Sequence, residues 1–375
     1  MNIGLFTLPF HSNYGGILQA WALQETLREM GHDPILLRQP GFHAAWALQP
    51  AVVLLRAFRR WRGEKIPLLA RFHDARLERQ IARFVQTRIR QSPILATPEE
   101  RARFVRGAGL RAVLAGSDQI WRPGITSPAY FLDFLEGAPG VRRIAYAASF
   151  GADHVEFGAD TARFAGLAKR FDAVSVREEA SLSVCRELFG IHADCVADPT
   201  LLLPDERYRE IASATEAGGI TTYFLAGQTA FRDLAHSAAA SLGMEEHALP
   251  SAGDFVNRLV PPAMPSVEQW LGTLVSAQCM LTDSFHGTVF AILFGKPFAS
   301  LDNGTGAGRI RSLLRVLGLD NRLLPAGHPL GPALAALSTP LPGDLPDRIE
   351  LVRAKSRKWL HDALASPPRE GESSV

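Results

Sequence analysis

Residues 2–37 read NIGLFTLPFHSNYGGILQAWALQETLREMGHDPILL, and three segments of that stretch decide the fold. Ile3-Gly4-Leu5-Phe6-Thr7-Leu8 is a short apolar run closed by a Pro- and Gly-bearing loop, which predicts a buried strand. From about Gly16 to Met30 the residues Leu18, Trp21, Ala22, Leu23 and Leu27 recur at helical spacing, and Gly31 ends the helix. Pro34 to Leu37 is the next strand. Strand, helix and strand in immediate succession form a βαβ unit, which requires parallel strands and a right-handed crossover.

Outward from this unit the alternation continues. Strands are expected at Ala112 to Ala115, Ile144 to Ala148, Ala173 to Val176 and Cys195 to Ala197, with helices at Thr161 to Arg170 and Glu178 to Phe189 between them. After Leu201-Leu202-Leu203-Pro204 the pattern restarts. Strands follow at Thr221 to Leu225, near Met244 to Ala248, at Cys279 to Thr282 and at Pro297 to Leu301, with helices at Val267 to Ala277, Gly287 to Phe294 and Arg309 to Leu317. The expectation is an α/β protein of two doubly wound, Rossmann-like domains, residues 1–204 and 205–325. Residues 326–375 add one more helix, Asp347 to Leu364, and a polar tail.

From about residue 44 to 108 a helical insertion interrupts the first domain. Between Arg56 and Arg90 there are eleven Lys/Arg and three Asp/Glu, a net +8, interspersed with Trp46, Val52, Val53, Leu55, Phe58 and Trp61 nearby. Two readings stand: an amphipathic helix on an anionic membrane surface, or a segment that packs its apolar face on the domain and solvates its arginines. The second is the commoner outcome for such a pattern.

A length of 375 residues, 47% apolar and 21% charged, suits two soluble globular domains. Forty basic against 38 acidic residues leave +2, which excludes a globally basic nucleic-acid binder. Cys185, Cys195 and Cys279 form no CxxC pair and are too few for a disulfide framework or a zinc site. A reducing compartment follows. The first residues lack a signal-peptide pattern, and no uncharged run reaches the ~20 residues that span a bilayer, so a cytoplasmic protein is expected, with contact at the membrane's cytoplasmic face left open.

Five loops carry candidate chemistry. His11-Ser12-Asn13-Tyr14-Gly15-Gly16 opens the first helix, where free N–H groups favour an anion; the alternative is a plain βα turn capped by Asn13. Gly116-Ser117-Asp118-Gln119-Ile120-Trp121 follows a strand end, where parallel sheets bind ligands. Ser117 and Asp118 could meet a hydroxylated substrate and Trp121 could stack on a sugar, or they cap a turn over a buried Trp. Arg177, at a strand end before a helix, suits a carboxylate or phosphate, or else pairs with an acid across the sheet end. Thr282-Asp283-Ser284-Phe285-His286-Gly287 sets His286 at a helix N-terminus on the open end of the second sheet, a placement suited to proton transfer. Arg309 and Arg311 open a helix after the Gly-rich run 303–308, beside an anionic ligand or in solvent. No GxGxxG fingerprint and no GxSxG elbow is present.

Taken in order, Asn13-Tyr14-Gly15-Gly16-Ile17-Leu18-Gln19-Ala20, Gly116 to Trp121, Tyr146-Ala147-Ala148-Ser149-Phe150-Gly151, Ser175-Val176-Arg177-Glu178, Asp198-Pro199-Thr200 and Asp283-Ser284-Phe285-His286-Gly287 resemble the polysaccharide pyruvyl transferase family, over about residues 2–322. The resemblance implies a GT-B-like pair of domains facing a cleft that holds the active site. It implies transfer of pyruvate from phosphoenolpyruvate to a sugar as a ketal, without metal or redox cofactor. The sugar belongs to a cell-surface polysaccharide or its lipid- or nucleotide-linked precursor. On that reading Arg177 and His286 are catalytic. Arg177, Ser284, Arg309, Asn13, Gly15 and Gly16 bind the donor, and Ser117, Asp118, Trp121 and Asp283 meet the acceptor. Ser284 stands where several family members carry arginine, which leaves one cation fewer beside the donor. Two alternatives remain: a GT-B glycosyltransferase using a nucleotide sugar, and a non-catalytic carbohydrate-binding protein whose function survives loss of His286.

Overall fold

The computed structural model describes all residues except 11, 42–74, 139, 153–154, 217, 226–228, 256–257, 259–260, 305–306, 326, 328 and 367–375. The first sheet is built from β1 (Asn2–Phe6), β2 (Asp33–Leu36), β3 (Ala112–Ala115), β4 (Arg142–Ala148), β5 (Ala173–Val176) and β6 (Asp194–Cys195). Its strand order is β2-β1-β3-β4-β5-β6, all parallel, with Leu5 level with Leu36 on one side and Leu114 on the other. The second sheet comprises β7 (Ile220–Tyr223), β8 (Glu246–Leu249), β9 (Cys279–Thr282), β10 (Phe298–Leu301) and β11 (Leu323–Leu324), in the order β11-β10-β9-β7-β8, again parallel. Parallel sheets are covered on both faces, so their strands read as continuous apolar runs. Ala112–Ala115, Cys279–Thr282 and Phe298–Leu301 are buried at every position.

The helices in chain order are α1 (Tyr14–Glu29), α2 (Arg79–Arg88), α3 (Pro98–Gly107), α4 (Thr161–Ala168), α5 (Ala180–Val184), α6 (Asp205–Arg209), α7 (Thr229–Leu242), α8 (Val267–Ser276), α9 (Phe285–Leu293), α10 (Ala307–Val316), α11 (Leu330–Ser338) and α12 (Leu345–Ala365). Helix α1 is buried around most of its circumference because it lies between the first sheet and the second domain. The Tyr14 hydroxyl donates to the Pro265 carbonyl at 2.7 Å, and its ring stacks on Trp270 of α8 at 5.0 Å. Helix α12 returns from the second domain to the first. Its Ser356 hydroxyl accepts from the Ala197 N–H at 2.9 Å, Arg353 donates to the Leu201 carbonyl at 2.9 Å, and the Trp359 indole N–H reaches Asp194 at 2.8 Å. The two domains are therefore joined by a face of α1 and strapped by α12.

Three features depart from the sequence pattern. The helix expected from Glu178 to Phe189 is α5 followed by a π-helical turn over Cys185–Phe189, closed by Gly190 at φ 63°. Strand β11 has two residues, too few to show a period, and α11 (LGPALAALS) lacks the polar positions that mark an amphipathic helix. In the basic insertion, α2 buries Ile81, Phe84 and Val85 and exposes Arg79, Arg83 and Arg88, the packing reading for this part. The stretch carrying Trp46, Val52, Val53, Leu55, Phe58 and Trp61 lies outside the described residues. Among the described residues no helix is long and apolar enough to cross a membrane.

Candidate active site

Two helix N-termini meet where the carboxyl ends of the sheets face each other. Helix α1 begins after β1, with the Asn13 side chain accepting from the Gly16 N–H at 3.3 Å. Helix α9 begins after β9, with the Ser284 hydroxyl accepting from the Gly287 N–H at 3.2 Å, so Ser284 is the helix cap. One residue into α9, His286 lays its imidazole on Gly15 of α1. A Cβ built on Gly15 would collide with the ring, Nδ1 first. Glycine at 15 is therefore what lets the second domain's histidine reach the first domain.

Asp198, between β6 and α6, ties this contact to Arg177. The Asp198 carboxylate is fully buried. Its Oδ1 accepts from the Thr200 N–H at 3.0 Å and the Thr200 hydroxyl at 2.7 Å, and lies 3.7 Å from His286 Nε2. Its Oδ2 accepts from Arg177 Nη1 at 2.6 Å and from the Ser117 hydroxyl at 3.3 Å. Burial pushes the Asp198 carboxyl up, yet His286, Arg177 and the Thr200 N–H hold it well below the usual carboxylate range. Asp198 is therefore ionised.

Arg177 is equally enclosed. Its Nε lies 3.5 Å from Glu178 Oε1, its Nη2 is 3.9 Å from Asp118 Oδ1, and its guanidinium sits over the Phe285 ring at 4.5 Å. Burial acts to lower its basicity, but Asp198, Glu178 and Asp118 outweigh it and raise the Arg177 pKa. Glu178 in turn accepts from the Ser149 and Ser181 hydroxyls. Arg309, at the start of α10, approaches the same Phe285 ring at 5.9 Å. Burial, and then repulsion from Arg177, push its pKa down to about 10, against the opposing pull of Glu178 and Asp118. Two like charges thus share one aromatic ring, and among the described residues Arg177 Nη2 and Arg309 Nε are buried without a hydrogen-bond acceptor. Buried N–H groups of this kind call for an anion.

Arg309 opens on a cavity of about 440 Å³ between the domains, lined also by Arg122, Gly151, Glu178, Asp302 and Arg311. A hollow of about 70 Å³ lies at the α1 end, among Thr7, Phe10, Asn13, Gly16, Gln19 and Asp118.

The structure brings His286, Arg177, Arg309, Asp118 and the Asn13–Gly16 turn into one neighbourhood. It withdraws others from contact with a substrate. Trp121 is fully buried, stacked on Phe131 at 5.2 Å with its indole N–H turned to the Tyr130 carbonyl, so it has no face for a sugar. Ser117 is enclosed, its hydroxyl spent on the Ala147 carbonyl and Asp198. Asp283 is buried and accepts from the Leu225 N–H at 2.6 Å, so it braces a second-domain loop instead of meeting an acceptor. The Ser284 hydroxyl accepts from the Gly287 N–H as the helix cap and, being uncharged, supplies no cation where an arginine would stand. Asp198 and Glu178 are the residues that motif reading missed. Asp198 stood in a quoted motif, but Asp before Pro reads locally as a cap, and it does accept from Thr200.

Gly15→Ala is expected to cost about 1–3 kcal/mol of stability through overpacking and to displace the imidazole. A lowered melting temperature with shifted His286 ring resonances checks this. Gly16→Ala is the control, because its Cβ would make only ordinary contacts, 3.4 Å from Asn13 and Asp118.

A family model described as polysaccharide pyruvyl transferase matches residues 13–305. No curated protein matches the sequence. Among solved structures, UDP-GlcNAc 2-epimerase from Neisseria meningitidis bound to UDP-GlcNAc is similar at TM-score 0.54 and 8% identity, covering 97% of this chain and 99% of that one. A protein described as a UDP-N-acetylglucosamine 2-epimerase from Listeria monocytogenes is similar at TM-score 0.50 and 11% identity, covering 99% and 93%. At such identities the likeness concerns the fold, which is the GT-B arrangement of two facing α/β domains.

Proposed function

Because the chain belongs to the polysaccharide pyruvyl transferase family, we propose that it transfers the pyruvyl group of phosphoenolpyruvate to two hydroxyls of a sugar, forming a ketal. The sugar is part of a cell-surface polysaccharide or of a lipid- or nucleotide-linked precursor. The observation that carries this reading is the pair of buried, acceptor-less N–H groups on Arg177 and Arg309 around Phe285, beside an imidazole that shares Asp198 with Arg177. A small trianion would satisfy both guanidinium groups and relieve their repulsion.

The chemistry has a defined proton balance. C3 of phosphoenolpyruvate gains a proton and C2 becomes electrophilic. A sugar hydroxyl adds to C2 and gives up its proton. The C2–O bond to phosphate breaks, phosphate departs, and a second hydroxyl closes the ketal with loss of another proton. His286 is the group we assign to proton transfer. Arg309 and Nη2 of Arg177 bind the donor's charges; Asn13, Gly15 and Gly16, with the Gly16 N–H taken by the Asn13 side chain and Gly15 under the imidazole, set the place of His286. Asp118, lining the smaller hollow with Asn13 and Gly16, meets an acceptor hydroxyl. In a precursor-linked reaction the protein works on the cytoplasmic side of the membrane.

The test is incubation of the full chain with phosphoenolpyruvate and a panel of free, lipid-linked and nucleotide-linked sugars. The expected result is one phosphate released per sugar that gains a pyruvyl group by mass. Consumption of a nucleotide sugar without phosphoenolpyruvate would support the glycosyltransferase alternative and overturn this reading.

A further inference from the structure

We infer that Asp198 fixes the tautomer of His286, keeping the proton on Nε2 and leaving Nδ1, beside Gly15, as the basic nitrogen of the ring. The inference rests on the pyruvyl-transfer reading only for the use made of that proton.

The two ring nitrogens have different surroundings. Nε2 is sealed from solvent, has no hydrogen-bond partner among the described residues and faces Asp198 Oδ1 at 3.7 Å. That carboxylate cannot turn away, since Thr200, Ser117 and Arg177 hold both of its oxygens. A bare lone pair on Nε2 would point at an anionic oxygen in buried space. A proton on Nε2 turns that repulsion into attraction. The distance is too long for a hydrogen bond, so the preference is electrostatic. Two further described contacts of the imidazole are uncharged: Phe285 meets it edge to face at 5.1 Å, and Gly15 has no side chain. The charged neighbour Arg177 is held by the other oxygen of Asp198, Oδ2. Nδ1, on the side of the ring packed against Gly15, is then the basic nitrogen.

Asp198 acts here as a positioning residue. The test is a long-range ¹⁵N–¹H correlation spectrum of the full chain labelled at histidine, with His286→Gln identifying the signal. The expected wild-type pattern is the Nε2–H form. In Asp198→Asn the pattern should move toward Nδ1–H or an average of the two, and kcat should fall about 10–100-fold, as for lost outer-shell orientation. An Nδ1–H pattern in the wild type, or an unchanged pattern in folded Asp198→Asn, overturns the inference. Should Asp198→Asn fail to fold, the wild-type spectrum decides alone. A chain that shows the Nε2–H form yet releases no phosphate from phosphoenolpyruvate would sink the pyruvyl-transfer reading and leave the tautomer standing.

Discussion

His286→Ala is expected to lower turnover by about two to four orders of magnitude, the usual cost of a lost general acid or base, with affinity for phosphoenolpyruvate largely kept. The reason lies in what the variant leaves behind. Asp198 retains Arg177, Thr200 and Ser117, so no buried charge is stranded. The two guanidinium groups around Phe285 keep their places, because neither hydrogen-bonds to the imidazole. The variant should therefore fold and bind the donor while losing proton transfer. Phosphate release in a single turnover, with donor binding by calorimetry, separates the two effects. Unchanged turnover would remove His286 from the chemistry. Retained sugar binding in a chain that never turned over would point to the carbohydrate-binding alternative.

Arg177→Ala should do something different and, for stability, larger. Three carboxylates surround this guanidinium, and Asp198 is fully buried against it. Removing one partner of a buried pair leaves an uncompensated charge, at a cost of about 3–5 kcal/mol. Loss of donor binding is expected as well, so the affinity of this variant has meaning only for the folded fraction. The denaturation midpoint checks the stability effect. Arg177→Met combined with Asp198→Leu should recover only part of it, because Glu178 and Asp118 still lose their cation and the Thr200 and Ser117 donors lose Asp198. Arg177→Lys should rescue little, since an ammonium cannot reach Asp198 and Glu178 together as the fork does. Wild-type stability in Arg177→Ala would show that the pair does not hold this end of the first sheet.

The same arginine marks the limit of sequence reading. Its place after a strand made an anion site a sound expectation, and the alternative of an acid across the sheet end was equally available. The fold gives it both roles: Nη1 is spent on Asp198 and Nη2 is left without an acceptor. Trp121 shows the opposite case. A tryptophan at the carboxyl end of a parallel strand suits a sugar face, but its neighbours Phe131, Phe150, Phe171 and Phe189 enclose it. Those partners lie up to 68 residues away in the chain, counting from Trp121 to Phe189, and no local pattern announces them. Ser284 and Asp283 also changed meaning, one becoming a cap and the other a loop brace.

By itself the sequence determined the two parallel sheets, the loops that end their strands and the histidine at the start of α9. Those features depend on hydrophobic period, on glycine and on capping residues, all of which act between near neighbours in the chain. Long-range packing brings His286 onto Gly15, lets Asp198 join it to Arg177, and sets Arg177 and Arg309 around Phe285. These contacts join residues from different elements, and three of the five cross between the domains. Their energies depend on burial and on which charges end up facing one another, quantities that exist only once the chain has packed.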